Sequence, residues 1–300
     1  MSEPAGTGPA ATGRRRLAAA VAAGALGLAV LAGWLAWRGG DDASGGDCRP
    51  GPPQELTARV VRELPHDPEA YTQGLVLAGG ELWESTGLRG ESDLRRVDLD
   101  TGRVEALVPL DEALFGEGLA EGDGGELVQL TWQEGTALRW DPAGPVPTGS
   151  FTYEGEGWGL STLDDGRLVM SDGSDILAVR DPVDFSVLRE VTVGRDGGEA
   201  TGLNELEWDG SRLWANRYQT EEILRIDVSC GAVDGVVDGA PLVRRAEELI
   251  AEGGLARDTS RTDVLNGIAW LGPGPGAGPD SYLVTGKRWP VAFEVRFEPA

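Results

Sequence analysis

Gln73-Gly74-Leu75, Glu117-Gly118-Leu119, Trp158-Gly159-Leu160, Asn204-Glu205-Leu206 and Asn266-Gly267-Ile268 are five variants of one short beat. Their leading residues are 44, 41, 46 and 62 positions apart. A second apolar beat follows each: Leu82-Trp83, Leu127-Val128, Leu168-Val169, Leu213-Trp214 and Leu283-Val284. A period near 40–45 residues with several short strands per unit is the mark of a propeller blade. The pattern predicts an all-β chain, a five-bladed β-propeller. The leading residue of each copy differs in chemistry but falls at the same place in its unit. Five such places, related by rotation, converge on one axis and form a site.

Between the beats lie strand and turn signals. Asp100-Thr101-Gly102 separates Val97-Asp98-Leu99 from the alternating Arg103–Leu107, and Ser229-Cys230-Gly231 follows Ile226-Asp227-Val228 in the same way. A stretch at about 241–264 breaks this rhythm. Val243, Ala246, Leu249 and Ile250 stand there at helical spacing, which predicts a short helical insertion and explains the long fifth interval. The tryptophans in the blades are by default packing wedges.

The remaining chain divides by composition. Residues 1–16 end in Arg14-Arg15-Arg16 and read as a cytoplasmic basic segment, and 17–37 is an uncharged apolar run. A helix of that length covers the ~30 Å hydrocarbon core. With the basic flank on its N-terminal side, it predicts a single-pass signal-anchor with the domain on the exoplasmic side of the cell membrane. Cleavage as a signal peptide, giving a secreted protein, is the alternative. Residues 38–57 read as a flexible tether and 58–300 as the propeller. The lipid bilayer is therefore an expected partner through 17–37. With a formal charge of −24, nucleic acid is not. Cys48 and Cys230, the two cysteines, are the candidates for a disulfide on that side of the membrane.

Of the 26 Lys and Arg residues, Lys287 is the one lysine. Such a background marks a place that needs a compact ammonium rather than a planar fork. Glu117 is the ionisable member of the five leading positions, a carboxylate suited to accept and return a proton in a confined pocket. Gln73, Asn204 and Asn266 offer neutral donors and acceptors for amide or carboxyl groups, and Trp132 an apolar wall. His66, the single histidine, is too isolated to anchor a Ser-His-Asp set, and no Gly-x-Ser-x-Gly elbow occurs. No metal ligand set stands out, so no cofactor is expected, although a structural divalent cation in the propeller stays open.

At this point the chain resembles the plant- and bacterial-type glutaminyl-peptide cyclotransferases, or glutamine cyclotransferases. The resemblance rests on an ordered set: His66-Asp67-Pro68, Tyr71–Leu75, Phe115–Leu119, Leu130-Thr131-Trp132, Glu156–Leu160, Leu203–Glu207, Leu265–Ala269 and Thr285-Gly286-Lys287. It spans roughly residues 60 to 297. It implies a five-bladed propeller that converts N-terminal glutaminyl residues of peptides to pyroglutamyl and releases ammonia. Glu117 then resembles the proton-transfer carboxylate, and Gln73, Asn204 and Lys287 the groups that hold substrate or stabilise charge. Tyr71, Trp132 and Trp158 resemble pocket walls. Tyr71 stands where an aromatic, often Phe, is usual, and Tyr218 where Trp is usual. The rival expectations are a non-catalytic envelope propeller that binds peptides or glycans, and a metal-dependent propeller hydrolase or lactonase.

Overall fold

The first strand, β1 (Gln54–Pro65), begins inside the segment expected as tether: Gln54 to Thr57 already pair with two other strands. The computed structural model describes residues 51–253, 264–273 and 278–300. The expected basic segment, membrane anchor and Cys48 lie outside the described residues. Cys230 is not a free thiol.

Five four-stranded meanders account for nearly all the rest. The first is β2 to β5 (Thr72–Ala78, Glu81–Thr86, Asp93–Val97, Val104–Pro109) and the second β6 to β9 (Gly116–Glu121, Leu127–Thr131, Thr136–Asp141, Val146–Thr152). The third is β10 to β13 (Leu160–Thr162, Leu168–Ser171, Ile176–Arg180, Val187–Thr192), followed by a short hairpin, β14 and β15 (Gly194–Arg195, Gly198–Glu199). The fourth is β16 to β19 (Leu203–Trp208, Leu213–Arg217, Glu222–Asp227, Ala232–Asp238). The fifth has only three consecutive strands, β20 to β22 (Leu265–Pro273, Asp280–Gly286, Val291–Pro299). Its fourth strand is β1, which pairs antiparallel with β22 and also parallel with β19. The chain thus closes on itself through its first strand, which removes a free sheet edge.

The first strands β2, β6, β10, β16 and β20 pack side by side in a cycle in which β20 returns to β2. This arrangement is all-β and propeller-like. It also explains the glycine of the beat. At the centre, neighbouring inner strands meet backbone to backbone: a methyl group on Gly159 would sit 1.9 Å from the Asn204 carbonyl oxygen. Gly74 and Gly118 face the inner strand of the next meander in the same way. The fourth copy has Glu205 where the others have glycine. Its carboxylate crosses the ring and accepts from Leu75 N at 3.3 Å and Ile268 N at 2.9 Å.

The hydrophobic core lies between meanders rather than at the axis. Five apolar clusters fill the five interfaces, for example Leu119, Leu127, Trp83 and Leu94 between the first and second meanders. Alternation along each strand produces this, since both sheet faces must be covered by neighbours. The turns between third and fourth strands carry a further repeat. Asp98, Asp141, Asp181 and Asp227 each accept a backbone N–H two or three residues on, which fixes the turn and accounts for part of the acidic composition.

The predicted insertion is α1 (Ala240–Glu252), with Pro241 in its first turn. Leu242, Ala246 and Ile250 form its buried stripe, with Val243 and Leu249 partly buried beside them. The stripe packs into the cluster that contains Trp289, so the helix braces the segment following Lys287.

Candidate active site

A pocket of about 610 Å³ opens at one end of the ring. Tyr71, Gln73, Glu117, Trp132, Trp158, Tyr218 and Lys287 all line it. Asn204 and Asn266 do not. Both are buried among the inner strands: Asn266 Nδ2 donates to the Thr72 carbonyl at 3.0 Å, and the Asn204 carbonyl accepts from Ser171 Oγ at 2.7 Å. At 2 % and 0 % exposure, these two leading positions are enclosed by the inner strands rather than open to the pocket.

Two repeated positions build the pocket. The first is the leading position of the beat, which supplies Gln73, Glu117 and Trp158. The second is the residue just after the second strand of a meander. There Trp132 N donates to Phe115 O, Tyr218 N to Gly202 O and Lys287 N to Val264 O, at 2.7 to 2.9 Å. Gly87 N makes the same bond to Tyr71 O. Lys287, Trp132 and Tyr218 are therefore equivalents in three meanders, and the lone lysine is one member of a ring rather than an isolated feature.

Glu117 sits on the pocket floor, 5 % exposed, and Gln73 Nε2 donates to its Oε1 at 2.9 Å. Burial pushes the Glu117 carboxyl well above the usual carboxylate range. The Lys287 charge pulls the other way, while Glu156 and Glu134 add to the rise. Lys287 is 3 % exposed, with its ammonium 5.0 Å from the Tyr71 ring centre and 5.3 Å from that of Tyr218. Two aromatic faces thus hold the cation at the wall.

Phe115 lines the pocket and Glu156 stands behind it, and one sequence offset marks both. Two positions before the leading residues Gln73, Glu117 and Trp158 stand Tyr71, Phe115 and Glu156, each ahead of its inner strand. Phe115 packs edge-on between Tyr71 and Trp132, at 6.3 and 5.5 Å. Glu156 Oε2 accepts both indole N–H groups, from Trp132 at 2.8 Å and Trp158 at 2.9 Å. One carboxylate therefore sets two walls. At the rim, the Arg89 guanidinium lies over Phe115 and Trp132 and ion-pairs Glu134, while Arg288 lies over Tyr71. His66 is absent from the pocket. Its Nδ1 donates to the Trp289 carbonyl at 2.6 Å and its Nε2 bonds Glu84 at 3.0 Å, so it ties the segment before Tyr71 to the one after Lys287. Among the described residues no group of three or more His, Cys, Asp and Glu side chains is placed to hold a metal ion.

The sequence profile of the family described as glutamine cyclotransferase matches residues 35–297. The chain belongs to the glutamine cyclotransferase family. It is 39 % identical over 245 residues to the glutaminyl-peptide cyclotransferase of Arabidopsis thaliana, covering 80 % of this chain and 71 % of the relative. The crystal structure of Myxococcus xanthus glutaminyl cyclase superposes with a TM-score of 0.72 at 37 % identity, covering 83 % of this chain and 99 % of that one. In this glutamine cyclotransferase the pocket therefore joins a buried carboxyl, a caged ammonium and aromatic walls, a set suited to moving a proton within a small bound amide.

Proposed function

We propose that the pocket around Glu117 is where this glutamine cyclotransferase converts N-terminal glutaminyl residues of peptides and proteins to pyroglutamyl, releasing ammonia. The observation that carries the reading is the Gln73–Glu117 pair at the floor of an aromatic pocket walled by Lys287. The neutral α-amine attacks the γ-carboxamide carbon of its own residue. A new N–C bond closes a five-membered ring, and the bond from that carbon to the amide nitrogen breaks. Holding the chain bent supplies much of the acceleration, because the attack is intramolecular.

One proton must pass from the attacking nitrogen to the departing one. Glu117 enters as the acid, consistent with its raised pKa. It gives its proton to the departing nitrogen and collects one from the attacking nitrogen, so the enzyme ends as it began. Gln73 Nε2 is committed to Glu117 and Asn204 does not line the pocket, which supports Lys287 as the charge that stabilises the tetrahedral oxyanion. Tyr71, Trp132, Trp158 and Tyr218 exclude water around the bent residue. The role of Gln73 is to orient Glu117, and Asn266 anchors the strand at the residue before Gln73 by donating to the Thr72 carbonyl.

The cycle of inner strands, and the closing of the fifth meander by β1, support a five-bladed propeller as the scaffold. The composition of residues 17–37 supports an exoplasmic domain held at the membrane. The test is ammonia release from a Gln-initiated dipeptide by the 51–300 domain, with and without chelator. Equal release in both arms is expected. No ammonia returns the pocket to a binding role, and loss with chelator makes the enzyme metal-dependent.

A further inference from the structure

A second groove, of about 540 Å³, runs along the third meander beside the pocket. Glu156 lines it and, from the same carboxylate, holds Trp132 and Trp158 of the pocket wall. Glu156 does not itself line the pocket; it links the two cavities through the indoles of Trp132 and Trp158. The groove floor is apolar, made by Met170, Phe185 and the β12 residues Ile176 and Ala178.

Its charges are unusual. Glu154, Asp172, Asp184 and Glu190 stand exposed along its rim. Arg180 lines it at 7 % exposure, with its guanidinium 4.7 Å from the Phe185 ring centre. Arg180 Nη1 donates to the Phe185 carbonyl at 2.9 Å, whereas its buried Nε has no hydrogen-bond partner among the described residues. Burial pulls the guanidinium below its usual pKa. An idle buried N–H calls for an acceptor oxygen. Four carboxylates on the rim repel an anionic one, so a neutral carbonyl fits the floor and cations fit the rim. An extended peptide with basic side chains presents both, and the long apolar stems of those side chains match the floor.

We propose that this groove binds the segment of the peptide substrate downstream of its N-terminal glutamine, and that it favours lysine and arginine there. The inference rests on the Glu117 pocket being the reaction site. The groove then supplies binding energy to long substrates that a dipeptide cannot use.

The test compares three substrates: a Gln-initiated dipeptide, and two heptapeptides carrying either four lysines or four glutamates from the third position. At low salt the lysine peptide should exceed the glutamate peptide in kcat/KM by about 10-fold, mostly through KM. Half-molar salt should largely close the gap. The acidic charge of the whole protein also favours basic peptides, so two double variants separate the causes. Asp184→Asn with Glu190→Gln should narrow the gap several-fold, whereas Glu248→Gln with Glu252→Gln on α1 should leave it in place. Equal kcat/KM for both heptapeptides, an unchanged gap in the groove variant, or the same loss in the α1 variant overturns the proposal. Turnover of the dipeptide reports on the Glu117 pocket separately: its absence removes that reading, whereas its presence without a gap removes only the groove.

Discussion

Gln73 Nε2 lies 2.9 Å from Glu117 Oε1, and the two residues hold the same place in adjacent repeats. The bond crosses from one inner strand to the next. It fixes one carboxyl oxygen and leaves the other for substrate. A repeat that began as scaffold thereby orients its own reactive group.

Replacing that group tests its role directly. Glu117→Gln keeps the size and an acceptor for Gln73 but cannot exchange a proton. Its kcat should fall at least ~100-fold, the usual worth of general acid–base help. Circular dichroism and Tm should stay near those of the parent, and near-normal turnover would remove the mechanism.

The pH profile follows from the raised pKa of Glu117. A group with a raised pKa keeps its proton at neutrality and loses it only at higher pH. The substrate amine must lose its own proton, with a pKa of about 7.7–8.0. The profile of kcat/KM should therefore be a bell, rising as the amine deprotonates and falling as Glu117 ionises. Glu117→Gln should lose the alkaline fall. Lys287→Met removes the charge that lowers the Glu117 pKa, so its fall should move to higher pH while kcat drops.

Glu156 acts through two indoles rather than on substrate. Glu156→Ala frees both rings, and KM for the dipeptide should rise several-fold more than kcat falls. Tryptophan fluorescence should shift as the walls loosen. A KM unchanged from the parent would leave the two hydrogen bonds without consequence for binding.

At the ring centre, Gly159→Ala places a methyl group against the Asn204 carbonyl. Backbone, rather than a flexible side-chain tip, must give way. The cost should be at least about 1–3 kcal/mol, in the range of overpacked cores, read as a lowered urea midpoint. A neutral result would mean that the inner strands separate more easily than their spacing implies.

Glu207 lies at the far end of β16, where burial raises its pKa to about 8 and Trp270 N donates to it at 2.7 Å. Unfolded, such a group ionises in the ordinary carboxylate range; folded, it holds its proton until about pH 8. Its stabilising contribution is whole below the lower value and is lost as pH rises through the upper one. Glu207→Gln should therefore match the parent Tm near pH 5 and exceed it by about 5 °C at pH 9. Identical Tm curves would show that the group is not protonated in the fold.

Much of this was legible in one dimension. The Gly-Leu beat marks the inner strands because at Gly74, Gly118 and Gly159 a side chain would collide with the backbone of the neighbouring inner strand, a demand that recurs in three of the five units. Turn residues, the amphipathic stripe of α1 and the aromatic and polar leaders are likewise local demands that a sequence records. Asn204 and Asn266 show where that reading ends. They share the repeat position of Glu117, yet they do not line the pocket, because each leader's exposure depends on how its strand packs against the next. The partnership of Glu156 with Trp132 and Trp158, and the place of the N-terminal strand as the last in the fifth meander, join residues far apart in the chain.

The amino-acid sequence by itself determined the repeat, the all-β class, the family and the chemical types available for a site, since each follows from local geometry written once per unit. Tertiary structure alone decided which of those residues meet, that the carboxyl of Glu117 is buried beside an ammonium, and that its proton is held to higher pH. Distance and desolvation arise only when the ring closes.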